Sequence, residues 1–490
     1  MSVPEGWEAV IGLEIHVQLS TRSKMFCRCP NESGGEPNTR ICPVCTAQPG
    51  ALPVANRAAV ERTIAVGLAL GSEIAPHSTF HRKNYFYPDS PKAYQISQYD
   101  EPLCNGGELA VPTAEGDDVV GFERVHLEED AAKTIHEGGG GGRLAGSHGA
   151  VVDFNRCGTP LMEMVTRPDL RTPEQASRFA AFLRETIIAL GVSECDMEKG
   201  SLRVDANVSL RRPGETEFGT KTELKNMNSF SYLERGIARE LRRQAEMLEA
   251  GETIVTQTMH YDPASDELTV LRSKELAHDY RYFPEPDLVP IEPSAELIAG
   301  LRDALPELPA ARVRRFEREY ALPLPQALDL GVASGLAVYF EEVAAAADDP
   351  RSAANWVLNE FSAHLNEART TPAESPVRPA ALAALVGLVA DGTLGSAGAK
   401  QVFAAMVAGE SGGDPGAIVE ARGLGQISDT SALAAVVAEV VAAHPGQAEQ
   451  FRSGKEALMG FFVGQVMRAT GGRAEPQVAQ TLLREEIARG

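Results

Sequence analysis

The chain has 490 residues, 43% of them hydrophobic, with 46 basic against 68 acidic residues and a formal net charge of −22. This length exceeds what one hydrophobic core usually supports, so more than one domain is expected. The acidic balance excludes nucleic-acid binding by overall charge and limits any RNA contact to a local basic patch. No basic region precedes an apolar run at the amino terminus, and nowhere do about 18 apolar residues follow one another. We therefore expect a cytoplasmic protein without a membrane segment.

The first strand signal is the alternating segment VIGLEIHVQL, residues 10–19. Its aliphatic residues fall on one face, while Glu14 and His16 share the other face. Same-face neighbours on a strand lie about 7 Å apart, so both side chains can reach one ion. The same pattern also fits the solvated face of an ordinary strand. The pair is therefore a candidate for metal binding that needs support from other segments.

Four of the seven cysteines stand close together in the sequence. They form a C-x-C and a C-x2-C pair within residues 27–45, and they are Cys27, Cys29, Cys42 and Cys45. This count and spacing predict a tetrahedral zinc site, with free or redox-active thiols as the alternative. Since all four ligand positions come from the protein, such a zinc ion has a structural role and no open position for catalysis.

Aromatic and basic residues are interleaved in the segment HRKNYFYPDSPKAYQISQYDEP, residues 81–102. Lys83 and Tyr85 lie near its start. This composition is typical of a loop that stacks on and clamps a nucleotide or an RNA end. An aromatic loop packed on a sheet has a similar composition, so both interpretations remain open.

The segment VHLEEDAAK, Val125–Lys133, runs from an apolar alternation into three consecutive acids. Strand geometry places Glu129 in the row of Val125 and Leu127, and Glu128 in the opposite row with His126. A carboxylate in the covered row is costly to bury unless a cation or hydrogen-bond donors meet it. The segment therefore indicates either one wall of a metal site or a solvated acidic turn.

Three later segments add charged residues to strand faces. Glu163 interrupts the apolar row of LMEMV, residues 161–165, and SLRVDANVSLRR, residues 201–212, places Arg203 and Asp205 on one face. The segment TKTELKNMNS, residues 220–229, does the same for Lys221, Glu223 and Lys225. If these strands adjoin, their acids and cations meet over a single concave surface.

Strands follow one another with few helices up to about residue 293, which predicts a mainly antiparallel sheet in an α+β domain. From there the chain is rich in alanine and leucine at helical spacing, with a further break at the glycine-rich residues 409–416. We expect a sheet domain over residues 1–293, a helical domain over 294–408 and a small helical tail domain over 409–490.

Seven segments occur in an order that resembles one known family. They are VIGLEIHVQL, RKNYFYPDSPKAYQISQ, HLEEDAAK, DFNRCGTPLMEMV, GSLRVDANVS, TKTELKNMNSF and DYRYFPEPDL. Together they are similar to the signature segments of the B subunit of aspartyl/glutamyl-tRNA amidotransferase, and GKEALMGFFVGQVMRATGG resembles the carboxy-terminal tail of that family. The resemblance covers essentially the whole chain. It implies a cradle domain similar to glutamine synthetase, a helical domain and a tail that contacts tRNA.

The resemblance also implies a reaction. An ATP-dependent carbon–nitrogen ligase with glutamine as amido donor would activate Glu-tRNA(Gln) or Asp-tRNA(Asn), or both, as an acyl phosphate. A partner amidase, the A subunit, would supply ammonia, and the small C subunit would complete a heterotrimer. The chain has no P-loop and no Ser-Ser-Lys amidase signature, which agrees with ATP held in another way and glutamine hydrolysed elsewhere. The alternatives are a non-catalytic tRNA-binding scaffold and a ligase that acts on a free amino acid.

Residue roles follow from the matching positions. The resemblance implies a magnesium site at Glu14, His16, Glu129, Glu163 and Asp205, with Glu128 facing away. Strand facing adds cations that would neutralise the transferred phosphoryl group, namely Lys133, Arg203, Lys221 and Lys225. Lys83, Tyr85 and Glu223 are the candidates for nucleotide binding.

Overall fold

A computed structural model of the chain describes residues 3–138, 147–273, 280–426 and 430–489. The chain forms two compact units, Met1–Arg312 and Val313–Gly490. The first unit holds the strands, which are β1 (Glu8–Gln18), β2 (Glu73–Ile74), β3 (His81–Asn84), β4 (Tyr94–Ser97), β5 (Cys104–Asn105), β6 (Glu108–Thr113), β7 (Gly116–Glu129), β8 (Lys133–Glu137), β9 (Gly149–Asp153), β10 (Pro160–Thr166), β11 (Leu202–Arg211), β12 (Thr222–Lys225), β13 (Gln257–Asp262), β14 (Glu267–Ser273) and β15 (Phe283–Pro284).

The main element of the first unit is a ten-stranded sheet in the order β14-β13-β12-β11-β1-β10-β7-β5-β2, with β6 paired to β7. Its neighbouring pairs are antiparallel except for β12 and β13. Two smaller sheets contain β15, β3 and β4, and β8 and β9. This topology confirms the predicted α+β class with a mainly antiparallel sheet.

The central strand β1 shows why the sheet has one apolar and one polar face. Its odd-numbered residues Ile11, Leu13 and Ile15 are at most 1% exposed, and they lie opposite Val208, Ala206 and Val204 of β11. Because side chains alternate along a strand, the even-numbered polar residues of β1 must point the other way. The register of β1 with its neighbours therefore collects apolar side chains on one face and polar side chains on the other.

Helices cover the apolar face. The first unit contains α1 (Arg57–Ala69), α2 (Pro173–Ala189), α3 (Phe230–Glu249) and α4 (Ala295–Asp303). Helix α2 begins with a capping box between Thr172 and Gln175, which satisfies backbone amides that its first turn leaves without partners. Helix α3 meets the sheet through Glu240, whose carboxylate accepts a hydrogen bond from Thr222 at 2.6 Å. Helices α1 and α3 pack directly against the sheet, on strands β7 and β11, and α4 packs on α1.

The second unit is helical, as predicted for the carboxy-terminal part. Helix α5 (Pro309–Glu319) leads into it, and it continues with α6 (Leu324–Gly331), α7 (Ser334–Ala346), α8 (Pro350–Trp356), α9 (Ser362–Ala368), α10 (Pro379–Ala390), α11 (Ser396–Val407), α12 (Pro415–Arg422), α13 (Thr430–Ala443), α14 (Pro445–Arg452), α15 (Leu458–Ala469) and α16 (Pro476–Arg489). A π-helical turn, Val357–Phe361, joins α8 and α9.

The second unit contains two separate hydrophobic cores. The first is built around aromatic side chains such as Phe340 and Phe361 and extends to Val419 in α12. The second begins at Leu433 and centres on Phe462. The first core therefore continues past the expected domain boundary at residue 408. Across the described parts of both units, the helices are too short or too polar to cross a membrane.

Candidate active site

The register of four adjacent strands brings polar side chains from distant parts of the sequence onto one face of the sheet. His16 of β1 lies opposite Arg203 of β11 and opposite Glu163 of β10. Glu163 in turn lies opposite His126 of β7. Residues that are directly opposite across a strand pair share a face, so these side chains form one continuous polar row. The row gathers residues that are up to 187 positions apart only because β1 sits in the middle of the sheet.

The centre of this face is a group of His16, Glu128 and Glu163, which we term the acid–histidine group. Its three ligand atoms all lie within 4.8 Å of one another. His16 Nε2 is 3.4 Å from Glu163 Oε2 and 3.8 Å from Glu128 Oε1. A second histidine, His126, approaches Glu163 Oε2 through Nε2 at 3.5 Å. Two carboxylates and an imidazole converging at this distance have the chemistry of a divalent-cation site.

The structure keeps the two adjacent glutamates in the rows that strand alternation predicts, and it is the row of Glu128 and His126 that lies on the face of His16. Glu128 lies opposite Leu161, which lies opposite Gln18, so Glu128 shares the polar face with His16. Glu129 lies on the other face, where its carboxylate pairs with Lys92 and accepts a hydrogen bond from the Ile96 amide at 3.1 Å.

In the structure Glu128 lies beside His16 and Glu163, whereas Glu129, which the resemblance places in the magnesium set, pairs with Lys92. The covered apolar row does contain a buried carboxylate, that of Glu129, but the cation that compensates its charge is Lys92 and not a metal ion. The sequence did contain a signal for Glu128, because it shares its row with the polar His126 rather than with Val125 and Leu127.

Burial and mutual repulsion perturb the ionisation of the acid–histidine group. Burial raises the pKa of Glu128 to about 7, and the negative charge of Glu163 adds to this shift. Burial acts in the same direction on Glu163, but His126 and His16 outweigh it and hold the pKa of Glu163 well below its usual value. Burial lowers the pKa of His126 to about 4, against the pull of the Glu163 carboxylate. Burial would lower the pKa of His16, but Glu163 and Glu128 outweigh it and raise that pKa, so both His16 and Glu128 readily hold a proton in this group.

A divalent cation fits this arrangement. It would let both Glu128 and Glu163 ionise, since a nearby positive charge favours the charged form of a carboxylate. Glu128 Oε2 already accepts a hydrogen bond from Ser97 Oγ at 3.2 Å, which orients the carboxylate toward His16. Magnesium prefers oxygen ligands, and a histidine beside two carboxylates is also common for manganese and zinc. The carboxylates Glu128 and Glu163 are the residues we expect to hold the ion.

Lys83 and Tyr85, predicted to bind a nucleotide, lie close to the same group. Burial alone would lower the pKa of Lys83, but Tyr282, Glu128 and Glu163 raise it, so its ammonium group is fully charged near these carboxylates. Its Nζ is 4.9 Å from the ring centroid of Tyr280. Burial and the charge of Asp89 raise the pKa of Tyr85 to about 12, so it remains a neutral phenol. The face thus combines its acids with a permanently charged cation.

Glu14 and Asp205, the other predicted metal ligands, lie opposite each other on the polar face but outside the acid–histidine group. Each has a partner of its own. Asn207 donates a hydrogen bond to Glu14 Oε1 at 2.8 Å, and Lys225 forms a short ion pair with Asp205. Lys225 also lies 3.3 Å from Glu223, whose carboxylate accepts from Thr258 at 2.9 Å. These residues therefore extend the polar face by one row and hold one another in place.

Arg203 reaches the polar face next to the group and is oriented by an acid that the sequence left without a role. Its Nη2 lies 3.2 Å from Asp130 Oδ1, and Asp130 Oδ2 accepts from Gln18 at 2.8 Å. The nearby carboxylates, first of all Asp130, raise the pKa of Arg203. Asp130 is 4% exposed and the Arg203 side chain is 35% exposed, so a buried carboxylate holds a partly exposed guanidinium. No sequence pattern predicts a pair of residues so far apart, and only the packing of the strands shows that Asp130 contacts Arg203.

The remaining predicted cations lie at the margins. Lys133 is exposed at the start of β8, opposite Asp153 in the separate two-stranded sheet. Lys221 is exposed just before β12, beside Glu14 and Asn207 at the far end of the polar face. The structure thus brings Lys221 to the same face and places Lys133 on a neighbouring hairpin.

The four clustered cysteines converge as their spacing predicts. One sulfur atom from each of Cys27, Cys29, Cys42 and Cys45 lies within 4.8 Å of the others. The Cys42 amide lies 3.2 Å from Cys45 Sγ and helps to orient that sulfur. The hydrogen bond with Cys27 lowers the pKa of Cys45 to about 5, so a thiolate is available in the cluster. Four sulfur donors at this distance fit a structural zinc ion, and no ligand position remains for a substrate.

Together these features define a class of protein, an α+β cradle with a candidate cation- and phosphate-binding face and a separate four-cysteine cluster. The family model described as the GatB/GatE catalytic domain matches residues 9–299, and the model described as the GatB domain matches residues 338–487. The chain belongs to the family of the B subunit of aspartyl/glutamyl-tRNA(Asn/Gln) amidotransferase, as the resemblance of its motifs predicts.

Curated relatives with that name match almost the full length. The protein of Bordetella petrii is 48% identical over 98% of this chain and 99% of its own length. That of Moorella thermoacetica is 49% identical over 98% of this chain and 100% of its own length. That of Anaeromyxobacter dehalogenans is 47% identical, with shares of 98% and 99%. The similarity therefore includes both the sheet unit and the helical unit.

Proposed function

We propose that this chain activates the side-chain carboxylate of Glu-tRNA(Gln), Asp-tRNA(Asn) or both with ATP, as the kinase subunit of a glutamine-dependent amidotransferase. The supporting observation is the acid–histidine group, in which two buried carboxylates lie within 4.8 Å of a histidine on the polar face of the sheet. A protein that only binds RNA gains nothing from carboxylates directed toward phosphates. The proposed tRNA substrates come from the names of the relatives, and the proposed phosphoryl transfer comes from the residues of the site.

In this proposal the aminoacyl carboxylate attacks the γ-phosphorus of ATP, and the bond to the ADP oxygen breaks. Ammonia then attacks the acyl carbon, and inorganic phosphate leaves. Such transfers depend on positioning and on neutralising charge rather than on covalent catalysis by the protein. A magnesium ion bound by Glu128 and Glu163 would supply charge neutralisation at the phosphate oxygens.

Basic residues of the chain contribute the rest of the electrostatic stabilisation. Lys83 is fully charged beside the acids, and Asp130 holds the Arg203 guanidinium on the neighbouring strand. A guanidinium fixed in this way can bind a carboxylate or phosphate through two parallel hydrogen bonds. Because both cations sit in a partly buried environment, their interactions with a developing charge are stronger than in water.

The proposal includes partners and a structural metal. Ammonia would come from glutamine hydrolysed by the amidase, the A subunit, and the small C subunit would complete a cytoplasmic heterotrimer. Zinc at Cys27, Cys29, Cys42 and Cys45 would stabilise the 27–45 excursion. The helical tail would contact the tRNA.

The test is tRNA-dependent formation of the acyl phosphate, trapped with hydroxylamine, and the accompanying release of ADP. In the assembled complex, Glu163→Gln is expected to lower turnover roughly 100- to 1,000-fold, the size of effect that follows removal of one electrostatic contact to the reacting group. Affinity for aminoacyl-tRNA should change little, because the tail and not this carboxylate would bind the tRNA.

The matched control is Glu108→Gln, the same substitution at an exposed position of strand β6. It should leave both turnover and tRNA affinity unchanged. If Glu163→Gln retained near wild-type turnover, the chain would be a tRNA-binding scaffold whose chemistry is done by another protein of the complex.

A further inference from the structure

Lys24 is a buried lysine to which the proposed reaction gives no role. Its relative exposure is 1%, and it lies in the connection that follows β1, three residues before the first cysteine of the cluster. Lysine is among the residues that are least often fully buried, because removal of an ammonium group from water is costly unless an anion or hydrogen-bond acceptors meet it. The contacts of Lys24 therefore indicate which negative charge it compensates.

The Lys24 ammonium group has three hydrogen-bond acceptors. Its Nζ donates to the Arg40 carbonyl oxygen at 2.8 Å and to the Phe154 carbonyl oxygen at 3.4 Å. The third acceptor is Cys45 Sγ at 3.8 Å, and this contact is buried. An ammonium group has three N–H donors, so these acceptors use all of them. Two of the acceptors are neutral carbonyl groups, and the sulfur is the one that can carry a negative charge.

The two carbonyl contacts hold the ammonium group between two segments of the chain. Arg40 belongs to the 27–45 excursion, whereas Phe154 follows β9. Because Nζ is held from both sides, its third donor is directed at the cysteine cluster. Lys24 is therefore positioned next to a candidate zinc ligand by contacts that do not involve the metal.

A zinc ion at the four cysteines would create the negative charge that Lys24 lacks among its carbonyl partners. Cysteine binds zinc as a thiolate, so four such ligands bring more negative charge than a divalent ion neutralises. The ligand next to Lys24, Cys45, is only 3% exposed. A buried excess of negative charge is costly unless a cation lies beside it. Lys24 is placed to supply that cation.

The sulfur of Cys45 also lies near a backbone donor, the Cys42 amide, at 3.2 Å. Its surroundings thus combine one neutral and one charged donor. Charged donors form hydrogen bonds that are about twice as strong as neutral ones. Groups that hydrogen-bond to metal ligands orient those ligands and typically change metal affinity about 10- to 100-fold. The contact of Lys24 with Cys45 is of this kind.

We propose that Lys24 is the counter-charge of the zinc–thiolate cluster and acts on the metal through the Cys45 sulfur. The inference deepens the proposed function and rests on it for the identity of the metal. Lys24 is a positioning residue of the zinc site and not a ligand. Its charge should change the electron density on the bound sulfur, which a side chain that only packs against the excursion would not do.

The experiment measures the zinc Kd of the full-length chain by competition with a coloured chelator. Lys24→Met removes the charge and the donors at nearly constant volume, and it should raise the zinc Kd roughly 10- to 100-fold. In the same chain loaded with cobalt(II), the thiolate-to-metal charge-transfer bands should move to longer wavelength. An electron leaves a thiolate more easily when no positive charge lies beside it.

Three further variants separate the charge from general disruption. Lys24→Arg keeps a cation and should bring both the Kd and the band position closer to wild type than Lys24→Met does. Lys24→Gln keeps neutral donors for the carbonyl groups but has no charge, and it should show the same losses as Lys24→Met even if the methionine variant is unstable. Arg28→Met removes an exposed positive charge between two of the ligands and should leave the Kd within twofold of wild type, because salt screens exposed charges.

The inference is overturned if both neutral variants of Lys24 keep the zinc Kd within twofold of wild type, or if their cobalt bands stay in place. It is also overturned if Arg28→Met weakens zinc binding as strongly, since overall charge would then explain the effect. A wild-type chain that binds no zinc would contradict the zinc assignment of the proposed function and this inference with it. Zinc bound with an affinity independent of Lys24 would contradict this inference alone, and neither result depends on acyl-phosphate formation.

Discussion

Glu128 and Glu129 are adjacent in β7, yet they lie in two regions that differ in the charges next to each carboxylate. Glu128 faces the polar side of the sheet, near a histidine and a second carboxylate, and burial raises its pKa to about 7. Glu129 faces the other side, where the Lys92 ammonium compensates its charge. Both side chains are almost completely buried. From this difference we expect a structural role for Glu129, which has a cation of its own, and binding of an external cation by Glu128, which is buried beside another acid.

The region around Glu129 also includes the cysteine cluster. A cavity of about 250 Å³ is lined by Cys27, Cys45, Lys92 and Glu129 among others. A Cβ added to Gly158 would lie 3.5 Å from Cys45 Cβ and 3.9 Å from Glu129 Oε2. The cysteine cluster and the Lys92–Glu129 ion pair thus pack against the same short segment around Gly158. We expect substitutions in either one to lower the free energy of unfolding. Substitutions on the polar face, in contrast, are expected to lower the turnover rate.

The largest effect on stability is expected from removing a cysteine ligand. Cys45→Ser should abolish zinc binding and make residues 27–45 sensitive to limited proteolysis, because structural zinc sites contribute about 10–16 kcal/mol in small zinc domains and part of that here. Zinc content by atomic emission and digestion rate are the measurements. Cys104→Ala, a buried cysteine outside the cluster, is the control and should retain the zinc. Full zinc content in Cys45→Ser would contradict the site.

The next effect concerns the ion pair. Glu129→Gln leaves the Lys92 ammonium buried without its counter-charge, and breaking such a pair typically costs about 3–5 kcal/mol of stability. Urea unfolding of the purified chain measures the loss. The double variant Glu129→Gln with Lys92→Met should recover most of it, because the unpaired charge is then gone. A stable single variant with strongly reduced acyl-phosphate formation would instead place Glu129 in the chemistry.

Glu128→Gln is the matching substitution on the polar face, and its effect should appear in turnover. We expect acyl-phosphate formation to fall roughly 100- to 1,000-fold, equivalent to about 3–4 kcal/mol of barrier. Stability should not decrease, because the substitution removes a carboxylate that repels Glu163. Single-turnover kinetics beside urea unfolding separates the two effects. If Glu128→Gln and Glu129→Gln changed the single-turnover rate and the urea stability to the same extent, the two glutamates would not have different roles.

The smallest effect is a pH dependence of stability in the presence of a chelator. The pKa of Glu128 rises from 4.5 to about 7 on folding, so between these values the folded chain holds a proton that the unfolded chain has released. The free energy of unfolding should therefore decrease as pH rises from about 4.5 to about 7, by no more than a few kcal/mol. The control Glu128→Gln should remove this component of the slope, and an unchanged slope would show that Glu128 titrates normally.

The sequence alone predicted much of the first unit. The alternation in residues 10–19 and 201–212 identified β1 and β11 and the residues that share their faces, because side chains alternate with a period of two in any strand. The spacing of the cysteines predicted a cluster that the structure brings together. Seven ordered motifs indicated the family, which the similarity to the curated relatives confirms.

Other features depended on tertiary structure. Alternation places Glu128 and Glu129 on opposite faces but does not say which residues of β1 and β10 share each face, since that depends on the register of strands that are distant in the sequence. The pairing of Asp130 with Arg203, which are 73 positions apart, has the same origin. Local geometry determined which side chains lie together on each strand, and the register of distant strands decided which of those rows became the site.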